Sequence, residues 1–182
     1  MGKISPVAAP GVIGLSLPGL NDFFMKIASL TEIKRELDTI PGDGLVRICL
    51  RLAAYRKENK ELLHYLLFES HQEDGYVSAI REEVTVAFAE MNAGTMYLAK
   101  KSIRRILRTL KKYIRYSGNK QTEVELLIHF CEAVKALNLP LRESKVLMNL
   151  YERQLASIEK ALSTLHEDLQ ADYRGRIEEL KS

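Results

Sequence analysis

Nine basic side chains crowd one stretch of this sequence. From Gly94 to Lys120 stand Lys100, Lys101, Arg104, Arg105, Arg108, Lys111, Lys112, Arg115 and Lys120, with no Asp or Glu among them. The whole chain carries a net charge of only +3, so the residues outside this stretch sum to −6. On a helix, at about 100° per residue, the eight from Lys100 to Arg115 fall within an arc of about 140°. Met96, Ala99, Ile103, Ile106, Leu107, Leu110, Tyr113 and Ile114 occupy the opposite side. A face of this kind attracts phosphates and carboxylates, on a nucleic acid or on another acidic partner. The loop Arg115-Tyr116-Ser117-Gly118-Asn119-Lys120-Gln121 extends it toward a helix N-terminus, where free N–H groups favour an anion. Tyr97 and Tyr116 offer two rings for stacking on bases, which is a thin platform. The plainer reading is a solvated face, partly neutralised by Glu73, Asp74, Glu82, Glu83 and Glu90 of the preceding helical stretch.

The energetics allow either reading. Basic residues meet at i,i+4 five times and at i,i+3 four times in this stretch. Each like-charge pair costs about 0.2–0.5 kcal/mol, or roughly 2–4 kcal/mol together before screening. Burying the eight apolar side chains contributes more, on the order of 10 kcal/mol gross. Burial wins, so the cationic face proves no partner. It is a standing cost that a polyanion relieves.

Other residues have types and spacings that suggest chemistry of their own. Glu61-Leu62-Leu63-His64 sets a carboxylate and an imidazole on one helical face. Di-metal bundles use two such motifs plus two further glutamates, and this chain has one. Glu125 and His129 share a face at i,i+4 but do not repeat the motif. His166-Glu167 lacks the second histidine of a zinc-protease helix, because position 170 is Gln. There is no Walker A and no G-x-S-x-G, and Gly11-Val12-Ile13-Gly14 lacks the preceding strand that a dinucleotide site requires. Cys49 and Cys131 stand in separate apolar runs and read as buried, inert thiols. No catalytic residue, metal or cofactor is expected. His64 and His129 are expected at the edge of a core, with ring nitrogens on backbone or carboxylate partners.

The elements that would position these groups are helical almost throughout. After residue 28 nearly every segment has helical period and almost none alternates like a strand. Ser29-Leu30-Thr31-Glu32 is a capping box opening a short helix before Pro41, and Pro41-Gly42-Asp43-Gly44 reads as a turn. Leu45 to Arg56 is apolar around most of its circumference, which predicts a central helix. Asn59 is placed to cap a third helix carrying Leu62, Leu63, Leu66, Leu67 and Phe68. A fourth puts Val77, Ile80, Val84, Ala87, Phe88 and Met91 on one stripe. The basic helix follows, from about Thr95 to Ser117, with Gly118 at its C-terminal cap. Thr122-Glu123-Val124-Glu125 reads as a second capping box. One long last helix is predicted from about Arg142 past Asp172, with Leu155, Ile158, Leu162, Leu165 and Leu169 as a short heptad seam. That seam either packs inside the fold or pairs with a second copy in a homodimer.

With 182 residues there is room for one domain. Apolar residues make up 46% and charged residues 28%, an ordinary globular balance that excludes wholesale disorder. The expectation is an all-α protein of about seven helices, an antiparallel helical bundle or a short stack of helical hairpins. Residues 1–24 read as a non-core N-terminal extension, broken by Pro6, Pro10 and Pro18. Residues 25–173 read as the domain, and 174–182 as a fraying tail. No run of eighteen or more strongly apolar residues exists, and two unpaired thiols fit a reducing cytoplasm.

Three strings, Leu50-Arg51-Leu52-Ala53, Lys57-Glu58-Asn59-Lys60-Glu61-Leu62-Leu63 and Lys120-Gln121-Thr122-Glu123-Val124-Glu125-Leu126-Leu127, resemble stretches of an uncharacterised family of small all-helical bacterial proteins. The likeness covers about residues 30–173. It implies a helical, bacterial, cytoplasmic protein, and it carries over no activity and no functional residue. The expected role is non-enzymatic binding or scaffolding, with the cationic helix presented to an acidic partner. A nucleic-acid binder contacting backbone rather than bases is the alternative, and a di-metal bundle enzyme is third.

Overall fold

A computed structural model of the chain describes residues 27–140 and 143–182. The expected extension over residues 1–24 and the expected helix start at Arg142 lie outside these residues. The described residues are all-α, with eight α-helices and no strand among them. Contacts divide the described residues into two units, with the boundary inside the second helix, between Arg47 and Ile48.

In the first unit, α1 (Leu30–Leu37) opens as its sequence predicts. Ser29 N–H donates to Glu32 Oε2 at 2.7 Å, and Glu32 N–H donates to Ser29 Oγ at 3.3 Å. The expected turn at Pro41 is instead the start of α2 (Gly42–Tyr55). Pro41 cannot donate, but its carbonyl accepts from Gly44 and Leu45 and so seeds the first turn. The expected central position of this helix is corrected: none of its residues is buried, and Val46, Leu50, Leu52 and Tyr55 are exposed.

In the second unit, α3 (Lys57–His64) runs into a π-helical segment, Tyr65–Glu69. Asn59 lies inside α3 rather than capping it, and its Nδ2 donates to Leu52 O at 2.9 Å. The wider π turn buries Tyr65 and leaves Leu66, Leu67 and Phe68 exposed. Next come α4 (Glu73–Ala89), α5 (Met96–Ser117), α6 (Lys120–Ala136), α7 (Lys145–Leu162) and α8 (Glu167–Lys181).

The central helix is α6. It packs against α4, α5, α7 and α8. Val124, Leu126, Leu127, Ile128, Phe130, Cys131 and Val134 are all buried, which places apolar groups around most of its circumference. Its N-cap is Asn119, whose Oδ1 accepts from Gln121 N–H at 2.8 Å. Thr122, expected as the cap, lies one turn inside and turns its hydroxyl to another helix.

The single long last helix is also corrected. It breaks after Leu162, where Ser163 Oγ donates to Lys160 O and Thr164 Oγ1 to Ala161 O. These short side chains satisfy the terminal carbonyls, and His166 in extended conformation then caps α8 through Asp168 N–H. The heptad seam is shared between the two helices. Ile158 and Leu162 are buried, and Leu155, Leu165 and Leu169 pack half-buried on the same core. The tail expected to fray, residues 174–182, is helical to Lys181 and buries Ile177 and Leu180, next to the buried Tyr173. Arg176 clamps Glu132 with two hydrogen bonds of 2.9 Å, and Tyr151 OH donates to Leu180 O.

Candidate functional site

The basic helix α5 is set by its own ends. Thr95 Oγ1 accepts from Leu98 N–H at the start, and Gly118 with φ +65° ends the helix by donating to Ile114 O. Only glycine takes that left-handed conformation without strain. The apolar side of α5 is the buried side: Ala99, Ile103, Ile106, Leu107, Leu110 and Ile114 are in the core, and Met96 and Tyr113 lie at its margin. The cationic arc therefore faces outward.

Two of the nine predicted cations have acidic partners. Lys112 Nζ lies 2.6 Å from Glu61 Oε2, across 51 residues of sequence. Lys120 pairs with Glu123 one turn along α6. For Lys100, Lys101, Arg104, Arg105, Arg108, Lys111 and Arg115, no carboxylate comes within 4.0 Å among the described residues. The acids of α4 do not neutralise this face. Glu83 accepts from Tyr113 OH, and Glu73 is turned to hydroxyl groups.

Around the loop 115–121, where an external anion is expected, Asn119 caps the N-terminus of α6 and Glu73 takes the neighbouring hydroxyls. It accepts from Tyr65 OH at 2.7 Å, Thr122 Oγ1 at 2.5 Å and Ser117 Oγ, joining the π segment, α5 and α6. Burial pushes its carboxyl up, but the three donors outweigh burial and leave it below the usual carboxylate range. The Lys112 hydrogen bond likewise holds Glu61 low, against burial and with help from Tyr116.

A furrow runs beside the cationic stripe. One part, about 510 Å³, is lined by Arg104, Arg108, Lys111 and Arg115 with Leu107 and Ile114 of α5, Glu123 and Leu127 of α6 and Ser157 of α7. A second part, about 400 Å³, shares Arg104, Leu107 and Lys111 and continues to Val146, Leu150 and Arg153 of α7. Arg153 lies outside the basic stretch and carries no sequence signal of its own. Its spacing from Val146, Asn149 and Leu150 marks one face of α7, but only packing brings that face opposite α5.

Elsewhere in the second unit, four tyrosines line a cavity of about 440 Å³ with Glu61, His64 and Glu69. All four hydroxyls are committed: Tyr65 to Glu73, Tyr76 to the Tyr113 carbonyl, Tyr113 to Glu83 and Tyr116 to Glu61. Burial, reinforced by Glu83, pushes the Tyr113 phenol up to about 12. The sequence carried no signal for this cluster, because its tyrosines come from three elements, with Glu61 and His64 from a fourth. Of the stacking candidates, Tyr97 is exposed and Tyr116 is held by Glu61.

The metal-type residues have other partners. Glu61 is taken by Lys112 and Tyr116, and Glu125 accepts from Gln121 and Tyr173. His129 Nε2 lies 3.1 Å from Arg81 O and 3.0 Å from Thr85 Oγ1, and burial lowers its basicity. His64 Nε2 lies 3.5 Å from Glu69 Oε1. Among the described residues no group of three or more His, Cys, Asp or Glu is placed to hold a metal ion. Of the two thiols, Cys131 is buried as expected and Cys49 is exposed, because α2 has no buried side. No described helix is long and apolar enough to cross a membrane.

No protein-family model matches the chain, and no curated protein or solved structure shows a significant likeness to it.

Proposed function

We propose that this is a non-enzymatic binding or scaffold protein that presents α5 to an acidic partner. The observation that carries this reading is the set of seven outward-facing cations that lack a carboxylate neighbour among the described residues. Like charges held together on one helix destabilise the free protein, and a bound polyanion removes that cost. Two free thiols fit work in a reducing compartment, the bacterial cytoplasm that the family resemblance implies.

The test is fluorescence anisotropy with labelled acidic peptides and nucleic acids, titrated at several salt concentrations. A parallel variant carries Arg104, Arg108, Lys111 and Arg115 changed to Glu. Lys112 is left in place because it neutralises Glu61. If about five cations meet phosphates of duplex DNA, log affinity falls against log salt with a slope of about −4. Salt-dependent binding that disappears in the folded variant supports the reading. No binding of any polyanion at low salt overturns it. Binding of nucleic acid alone moves the protein to the nucleic-acid alternative.

A further inference from the structure

The furrow between α5 and α7 has the form of a missing helix. Both helices pack on α6, yet they barely meet each other. Leu127 of α6 lies at the bottom of the gap, with Leu107 and Ile114 on one side and Val146 and Leu150 on the other. Val146 is 43% exposed, an apolar wall residue left to solvent. Above this floor stand Arg104, Arg108, Lys111 and Arg115, at i, i+4, i+7 and i+11 of α5, with Arg153 facing them from α7. The only acid in the lining among the described residues, Glu123, is already paired with Lys120.

We propose that this furrow receives an acidic amphipathic α-helix of a partner protein. The inference rests on the acidic-partner reading above and names the partner's form. The occupant's charge must be negative, because five cations without a carboxylate partner among the described residues line the site. It must also carry an apolar stripe, because the floor is aliphatic. The cation spacing is the repeat of one helical stripe and rises about 16 Å along α5, so carboxylates at the same spacing on a helix laid alongside meet all four. The aliphatic stems of the arginines supply further apolar wall below their charged ends. Nucleic acid fits less well, since among the described residues no aromatic side chain lines the furrow to stack on a base.

The probe is a labelled synthetic peptide of about 18 residues with Glu at i, i+4, i+7 and i+11 and Leu on the adjoining stripe. A scrambled peptide of equal composition and a single-stranded oligonucleotide are the comparisons. The full chain is used, with Arg153→Glu and Val146→Asp as furrow variants. Arg105→Glu, on the other edge of the cationic arc, is the control. Circular dichroism checks each variant's fold and the peptide's helicity. The expected result is that the patterned peptide gains helicity and binds at least tenfold more tightly than the scrambled one. Each furrow variant then weakens it by about tenfold, and Arg105→Glu leaves it within about twofold. Equal binding of both peptides, or equal loss with Arg105→Glu, overturns the helix proposal and leaves the acidic-partner reading standing. So does oligonucleotide binding that outcompetes the peptide and ignores Arg153→Glu. Absence of binding by every anionic probe removes both.

Discussion

Lys112 Nζ and Glu61 Oε2 lie 2.6 Å apart, so one cation of the basic helix is a structural strut to α3 while its neighbours are not. Both side chains are about 25% exposed, and Tyr116 OH donates to the same carboxylate oxygen at 2.9 Å. Cations of one stretch thus divide by role, and their replacement should separate them. Lys112→Ala is expected to cost about 1.5 kcal/mol, because a hydrogen bond to a charged group is lost and Glu61 keeps its desolvation. Arg108→Gln removes four like-charge neighbours and is expected to stabilise by up to about 1 kcal/mol at low salt, fading as salt rises. Urea denaturation of both variants at two ionic strengths checks the difference in sign.

Acid stability should follow Glu73. Its folded carboxyl titrates below its unfolded value, so its contribution is complete above the unfolded value, about 4.3, and is lost as pH falls through the folded one. Glu61 is shifted the same way and adds to the slope. Glu73→Gln has no charge to protonate and leaves fewer acceptor sites for three hydroxyl donors. It is expected to destabilise by about 2 kcal/mol at pH 7 and to flatten the fall in Tm between about pH 5 and pH 3. Melting curves across that range for both proteins decide the matter, and parallel curves would show that Glu73 is not the titrating group.

Truncation after Leu169 removes most of α8. Tyr173, Ile177 and Leu180 leave the core, and Arg176 leaves Glu132. The loss is on the order of 5 kcal/mol from burial alone, comparable with the whole stability of many domains. The truncated chain is expected to be unfolded or to melt far below the full chain in a thermal scan. A melting point unchanged by the truncation would mean that α8 contributes nothing.

The two thiols should behave differently. Cys49 is exposed, and Cys131 is buried with its thiol pushed up to about 12 by burial, with Glu132 adding to the shift. An aromatic disulfide reagent is expected to titrate one thiol per native chain at pH 8, and a second only after denaturant is added.

Helix existence and helix faces were legible from residue order because their causes are local. The Ser29–Glu32 box, the Thr95 and Gly118 ends of α5, and its two opposed faces all depend on residues within a few turns of each other. What covers an apolar face is not local. The run from Leu45 and the run in α6 are both rich in apolar residues, yet only α6 is enclosed, because four helices pack on it. The break at Ser163 needed hydroxyls turned back onto the preceding carbonyls, which helical period does not register.

For the site, residue order is enough to show that nine cations gather on one stretch and that eight share one side of one helix. Periodicity and charge are properties of the chain. Which of them are occupied follows from packing, because Glu61 reaches Lys112 from 51 residues away, while Glu73 is drawn to three hydroxyls of three segments instead of to a cation. Packing alone set Arg153 across a furrow from Arg104 and Lys111. Coulombic and hydrogen-bonding partners act over a few ångströms of space, and separation along the chain does not specify which residues packing brings that close.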